Sequence, residues 1–443
     1  TPMLCSVFLR KKKSGKLSKE NRIYRWIENS YRSVVEWALK HSFIAILISV
    51  LVFISTFPIL SLLGKDFLPM DDRGEFLINI TVPGGSSLSA TDSVFQKIEK
   101  EIQSIDGIVL TLTQIGSSGQ GSEDVTQGSI YVQMVDLKER NFSQLSVMRR
   151  IRAILKRYPE LRTNVSEFGG MTGTRTGYAF SYEFTGPELK ELMKYSDIMA
   201  SKLKEDPRFV DVDTSMSQRS PEVRINIDRK KALDLGVTPS ELATSLRTLV
   251  AGERVSKYRE GAEQYDVWIR IDRKDRDSAD KIMNLPVLSQ KAGLIPISYF
   301  ATNTEGNAPV EIKRYNRQRL VSIYANLEDI DLDTAIKKFS EIRDSLNLPS
   351  GYKGQPSGKG RFFGETIANF LLAFGMAFIF MYIVLAAQFE SFVNPVIILL
   401  SLPLTLPFAF LSLLMLGEYL NLYSILGIFM LFGIVKKNGI LQI

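Results

Sequence analysis

Apolar residues gather in four runs, 41 to 64, 367 to 387, 392 to 416 and 422 to 443, while most of the stretch between the first and second alternates apolar with polar. A helix rises 1.5 Å per residue, so about 20 apolar residues cross the roughly 30 Å hydrocarbon core of a bilayer. The pattern predicts four full membrane spans, at 41 to 64, 361 to 387, 392 to 416 and 421 to 443. Lys436, Lys437 and Asn438 interrupt the last one, which resumes as Gly439, Ile440 and Leu441. Two readings fit Lys437: an ammonium paired inside a bundle, or one that snorkels to the interface. It stands about 22 Å along the span, close enough to the far side for the second. The apolar resumption, with no further basic cluster, favours the first. The run reaches Ile443 without a polar exit, which suggests a fragment, with the partner of Lys437 outside it.

The middle of the chain reads as strands and amphipathic helices. Phe76, Ile78, Ile80 and Val82 alternate with Leu77, Asn79 and Thr81, the period of a half-buried strand. A helix follows, with Ser89 and Asp92 as a capping pair and Val94, Ile98, Ile102 and Ile105 on one face. Strands at 108 to 114 and around Ile130, a helix carrying Leu145, Met148, Ile151 and Leu155, and a strand at 163 to 168 complete a β-α-β-β-α-β order, the ferredoxin-like split unit. The same order starts again at Tyr178 and is finished by a strand at 319 to 325, a helix with Ile336 and Phe339, and the segment 350 to 356. Residues 218 to 307 are then an insertion. The expected fold is a membrane helical bundle joined to an α+β region of two such units, one of them split.

Composition narrows the function. One cysteine, Cys5, and one histidine, His41, exclude a disulfide framework and a His or Cys metal cluster made by this chain alone. No cofactor or metal site is expected. The formal charge of +7 is concentrated: ten Lys or Arg lie between Arg10 and Lys40, directly before the first span. That placement marks the cytoplasmic side of a membrane protein and needs no nucleic-acid partner. Residues 21 to 40 form an amphipathic helix along the membrane surface, with Trp26 and Trp37 at headgroup level. Residues 1 to 9 read as the end of a preceding span and 10 to 40 as a basic linker. The globular block is then outside. No Ser-His-Asp set and no phosphate loop suggest an enzyme.

Six stretches carry a resemblance: TPMLCS at 1 to 6, DFLPMDDRGEF at 66 to 76, INIDRKKALDLGVT at 225 to 238, VLAAQFESFVNP at 384 to 395, LSLPLTLP at 400 to 407 and GIVKKNGIL at 433 to 441. Together they resemble the resistance-nodulation-division (RND) efflux transporters, from the end of the sixth helix through the tenth. The resemblance implies a porter subdomain at 65 to 171, a second at 172 to 217 with 308 to 358, and a docking subdomain at 218 to 307. It also implies proton antiport that exports hydrophobic or amphiphilic compounds from a Gram-negative inner membrane, by a homotrimer with a periplasmic adaptor and an outer-membrane channel. Lys437 matches the lysine of the family's proton relay, with Asn438 beside it, and its aspartate partners are not in this chain. The loop 116 to 121, with Gly116, Gly119 and Gly121, matches the switch loop between drug pockets. Leu77, Ile115, Ser117 and Tyr131 fall on pocket positions.

Alternatives stay open at several of these. From the residues alone the loop is a plain glycine connection and Tyr131 a sheet-face residue. Ile115 and Ser117 replace aromatics common in multidrug members. Heavy-metal members use a methionine trio, yet the first of those positions is Leu77 and Met171 alone lies near another. A non-transport membrane accessory, such as a protein-translocation or scaffold component, would carry similar exterior units and need no partner for Lys437.

Overall fold

The structure is a computed structural model describing residues 22–69, 71–116, 124–168, 177–216, 219–309 and 311–442. Ser117, Gly119, Gly121, Met171 and the expected span end at 1 to 9 lie outside the described residues. The chain divides into two units: residues 71–329 with 338–359, and residues 1–70, 330–337 and 360–443.

In the first of these units, strands β1 (Glu75–Thr81), β2 (Ile108–Ile115), β3 (Gln127–Met134) and β4 (Arg162–Glu167) form an antiparallel sheet in the order β2-β3-β1-β4. Helices Leu88–Gln103 and Gln144–Leu155 cover one face, because alternation sends Phe76, Ile78, Ile80, Ile130 and Val132 to that side to meet Phe95, Ile98, Met148 and Ile151. The first helix starts two residues earlier than expected. Ser87, rather than Ser89, is its N-cap, its hydroxyl accepting the Ala90 N–H at 3.3 Å. Gly128 is required where β3 passes the helix: a Cβ there would lie 2.7 Å from both the Gln114 carbonyl oxygen and the Phe95 ring. Gly128→Ala is therefore expected to destabilise this unit by about 1–3 kcal/mol through overpacking. A melting temperature unchanged from the parent protein would contradict that.

Ahead of β1, the buried Arg140 guanidinium binds the Asp72 carboxylate through both Nη atoms and donates its Nε–H to the Val135 carbonyl at 3.0 Å. Asp72 also accepts the Gln144 N–H at 2.9 Å. Burial alone would raise the Asp72 pKa, but the Arg140 and Gln144 hydrogen bonds and the Arg140 charge outweigh it and hold the carboxyl below its ordinary range.

The second sheet uses β5 (Phe180–Gly186) and β6 (Phe209–Thr214), followed by an insertion. Within the insertion β7 (Arg219–Ile227) pairs with β12 (Ala301–Pro309), and β8 (Glu253–Glu260) pairs with β9 (Glu263–Ile269). The short strands β10 (Pro286–Ser289) and β11 (Gly293–Pro296) pair over a small core of Val237, Leu242, Val287, Ile297 and Phe300. β13 (Lys313–Tyr315), β14 (Gln318–Leu327) and β15 (Lys353–Pro356) then return to the second sheet. Its order is β13-β14-β5-β15, with β6 also pairing with β14. Leaving β13 aside, β6-β14-β5-β15 repeats β2-β3-β1-β4 strand for strand. Phe180, Tyr182 and Phe184 pack on Phe339, with ring centroids 5.4, 4.5 and 5.9 Å away.

In the other unit, helix Arg22–Lys40 exposes Trp26, Ile27, Tyr31 and Val34. Among the described residues three helices are long and apolar enough to cross a membrane: Ser42–Leu62, Lys359–Phe389 and Asn394–Leu416. The first is interrupted at Ser55, whose N–H bonds the Leu51 carbonyl, three residues before Pro58. The third tightens to a 3₁₀ turn at Pro403–Thr405, where two prolines in quick succession, Pro403 and Pro407, remove backbone donors. The final run forms a helix, Leu422–Gln442, of 21 residues.

Candidate functional site

Helix Leu422–Gln442 begins where it does because Asn421 caps it. Asn421 Oδ1 accepts the Ser424 N–H at 3.0 Å, and Ser424 Oγ accepts the Asn421 N–H at 2.7 Å. The approach to the cap is tied down. The Leu420 N–H donates to the Gly64 carbonyl at 2.9 Å, and the Asp66 N–H to the Leu420 carbonyl at 3.0 Å. Gly64 allows this approach, since a Cβ there would fall 2.7 Å from the Tyr419 ring. Lys65, in the same stretch, donates its N–H to Asp331 Oδ2 at 3.1 Å.

From that anchored start the helix presents two different faces. Ile425, Ile428 and Phe432 are buried. Phe429 stacks on Phe374 at 3.9 Å between centroids, and Phe432 meets the edges of Phe374 and Phe378. Gly439 turns the same way, its Cβ position 3.4 Å from Ile398. At 100° per residue, Lys437 points about 180° away from Ile428 and about 160° from Gly439. It shares its own side with Tyr423, Leu426, Gly427, Met430, Gly433 and Ile434, all exposed, at steps of three, one, three, three, one and three. That is the repeat of a helix–helix seam, with two glycines that would let a neighbouring backbone come close. Among the described residues Lys437 has no ion pair and no side-chain hydrogen bond. The side chain of Asn438 is outside the described set.

A second candidate surface is the face of the first sheet turned away from its helices. Cross-strand register lines up Leu112, Tyr131, Leu77 and Ser166 in one row over β2, β3, β1 and β4. Leu112 is 63% exposed, Leu77 and Tyr131 are half-buried, and Ser166 is buried. The Tyr131 hydroxyl donates to Glu75 Oε2 at 2.8 Å, and its ring meets Phe168 edge-on at 4.8 Å. The bond to the Glu75 carboxylate, then burial, raises the Tyr131 phenol above its usual range. Together these side chains give an apolar and aromatic surface with one acid and two hydroxyls, that of Ser166 buried, suited to a large amphiphilic molecule.

Leu77 and Tyr131 thus come together, directly opposite each other. Ile115 does not join them. It faces Gly128 on the helix side of the sheet, packs against the Phe95 core and lines a groove with Leu88, Asp92 and Thr113. Gly116 ends the described part of the loop with φ +85°, a left-handed conformation that suits glycine. Phe168 was not anticipated, although its spacing of two from Ser166 puts it on the same face as Leu77.

The AcrB/AcrD/AcrF family matches residues 1–443. Among curated proteins, multidrug resistance protein MdtC of Pectobacterium carotovorum subsp. carotovorum (strain PC1) is 26% identical over 453 residues, covering 100% of this chain and 43% of the relative. MdtC of Photorhabdus laumondii subsp. laumondii is 26% identical over 451 residues with the same coverage. The chain therefore spans about 43% of the length of these relatives. Among solved structures, crystal form II of a heavy metal efflux pump superposes with a TM-score of 0.81 at 20% identity, over 94% of this chain and 44% of that one. A likeness at that identity bears on the fold alone.

Proposed function

Because the chain belongs to the AcrB/AcrD/AcrF family, we propose that it is part of a longer proton-driven transporter exporting hydrophobic or amphiphilic compounds. On this reading Leu422–Gln442 is a fourth membrane span, and its open seam receives a helix from outside these 443 residues. The observation that carries the proposal is the position of Lys437 at the end of that seam, on the exposed side of its helix. A cation in low dielectric holds nearby carboxylates ionised, and protonation of one weakens the pair and lets the helices shift. Lys437 and Asn438 are then the relay residues, and acidic side chains on the incoming helix are their partners.

The two repeated sheets are read as ferredoxin-like porter subdomains, at 65–171 and at 172–217 with 308–358, and residues 218–307 as a docking subdomain. A homotrimer in the inner membrane, with a periplasmic adaptor and an outer-membrane channel, is the assembly such subdomains serve. The row through Leu77 and Tyr131 is the substrate surface, and the loop from Gly116 through Ser117, Gly119 and Gly121 is the switch loop. Ile115 supports this surface from behind.

That division of roles can be tested in the complete polypeptide. Leu77→Ala and Tyr131→Ala should each change resistance to some dyes and detergents by about fourfold or more while sparing others, the scale of losing one apolar contact. Ile115→Ala should lower protein level and affect all substrates alike. A substrate-selective Ile115→Ala with silent Leu77→Ala and Tyr131→Ala would reverse the assignment. Heavy-metal export is the second reading, prompted by the solved metal pump, but Leu77 puts a hydrocarbon where that chemistry needs a sulfur ligand.

A further inference from the structure

We propose, resting on the substrate-surface reading above, that Glu75 gives this surface a preference for positive charge: with the rings of Tyr131 and Phe168 it forms a subsite for the head of a lipophilic organic cation, a quaternary ammonium or an N-alkylated aromatic ring. On the sheet face turned away from the helices, the row next to Leu112, Tyr131 and Leu77 runs Leu110, Gln133 and Glu75 over β2, β3 and β1. Leu110 and Gln133 are exposed and Glu75 is half-buried. Phe168 directly follows Glu167, which pairs with Phe76, so it continues the ladder beside Glu75.

Glu75 differs from the other acids at this end of the sheet in having no counter-ion. Asp71 is bound to Arg73 at 3.0 Å, Asp72 to the buried Arg140, and Glu167 to Lys359 at 3.8 Å. Arg73 stands two residues from Glu75, but its Nε–H is given to Asp71. Among the described residues Glu75 enters no ion pair, and its hydrogen bond comes from the Tyr131 hydroxyl, at 2.8 Å to Oε2. That neutral donor fixes the carboxylate against the Tyr131 ring and leaves the negative charge in place.

The chemistry of this corner selects by charge. Tyr131 and Phe168 meet edge-on, with centroids 4.8 Å apart and planes 70° apart, so their faces make two walls, and ring faces attract cations through their quadrupole. A charge moved from water onto an apolar surface needs a partner, and Glu75 supplies it. Leu77, Leu110 and Leu112 take the hydrocarbon part. A neutral amphiphile gains the apolar contacts alone, and an anionic one meets a like charge. A single carboxylate is too few ligands for a metal ion, whereas an organic cation needs no more.

The test measures binding to the purified complete polypeptide by fluorescence anisotropy, with ethidium as the cationic probe and Nile red as the neutral one. Glu75→Gln keeps an acceptor for the Tyr131 hydroxyl and removes the charge. It should weaken ethidium relative to Nile red about tenfold, the scale of a cation–π contact joined to a partly desolvated charge pair. Phe168→Leu, which keeps an apolar side chain and removes one ring, should move the same ratio in the same direction by about threefold. A ratio unchanged by Glu75→Gln, while Leu77→Ala and Tyr131→Ala still weaken both probes, would overturn the charge preference and leave the substrate surface standing. Binding of both probes untouched by all four substitutions would sink the surface reading and this proposal with it.

Discussion

Lys437→Ala in the complete polypeptide is expected to lower proton-coupled efflux about a hundredfold or more while protein level and assembly stay near normal. Removing one partner of a buried ion pair leaves the other charge uncompensated. A carboxylate stripped of its cation in low dielectric takes up a proton and keeps it, so proton transfer stops rather than slows. Assembly is spared because the proton so taken up neutralises the carboxylate left behind, and Ile425, Ile428 and Phe432 keep their packing contacts. Lys436→Ala is the control. Both lysines would serve equally as interfacial anchors, but only Lys437 lies on the stripe that begins at Tyr423. Equal, small effects of the two substitutions on efflux would restore the snorkelling reading. Efflux is read as dye release, and coupling as proton movement in reconstituted vesicles.

Asp72→Ala is expected to cost about 3–5 kcal/mol, because it strands the fully buried Arg140 guanidinium and frees the Gln144 N–H. In a unit of this size that lowers the melting temperature by about 5–10 °C. Arg73→Ala, at an exposed pair with Asp71, should change it negligibly. The folded-state pKa of Asp72 is depressed, so its contribution is present above the unfolded value of about 3.9 and lost as pH falls through the lower folded value. The stability gap between parent and variant should therefore close below about pH 4. A gap that persists to lower pH would show that Asp72 acts through packing rather than charge.

Much of this was legible in the sequence because it is local. Four apolar runs became helices, with three of them, among the described residues, meeting the length and apolarity of a span. Period-two alternation at Phe76, Ile78 and Ile80 fixed which face of β1 is core. The repeated strand order was readable once two stretches showed the same succession of periods. What escaped was non-local. Ile115 was grouped with Leu77 and Tyr131 by resemblance, but it is three residues from Leu112, an odd step that puts it on the opposite face from Tyr131 in the ladder. The bonds of Arg152 and Asn326 to Asp211, 2.9 and 2.8 Å long, gave no periodic signal, since the three residues come from separate elements. The requirement for Gly64 was equally invisible, because Tyr419 approaches it from far along the chain.

The most direct test is an experimental structure of the complete polypeptide, reading what covers the stripe from Tyr423 to Lys437. The expected result is a transmembrane helix lying on Gly427 and Gly433, with a carboxylate oxygen within about 4 Å of Lys437 Nζ, the reach of an ion pair. Lipid acyl chains along that stripe, with Lys437 Nζ among headgroups and no acid beside it, would contradict the proton-relay role.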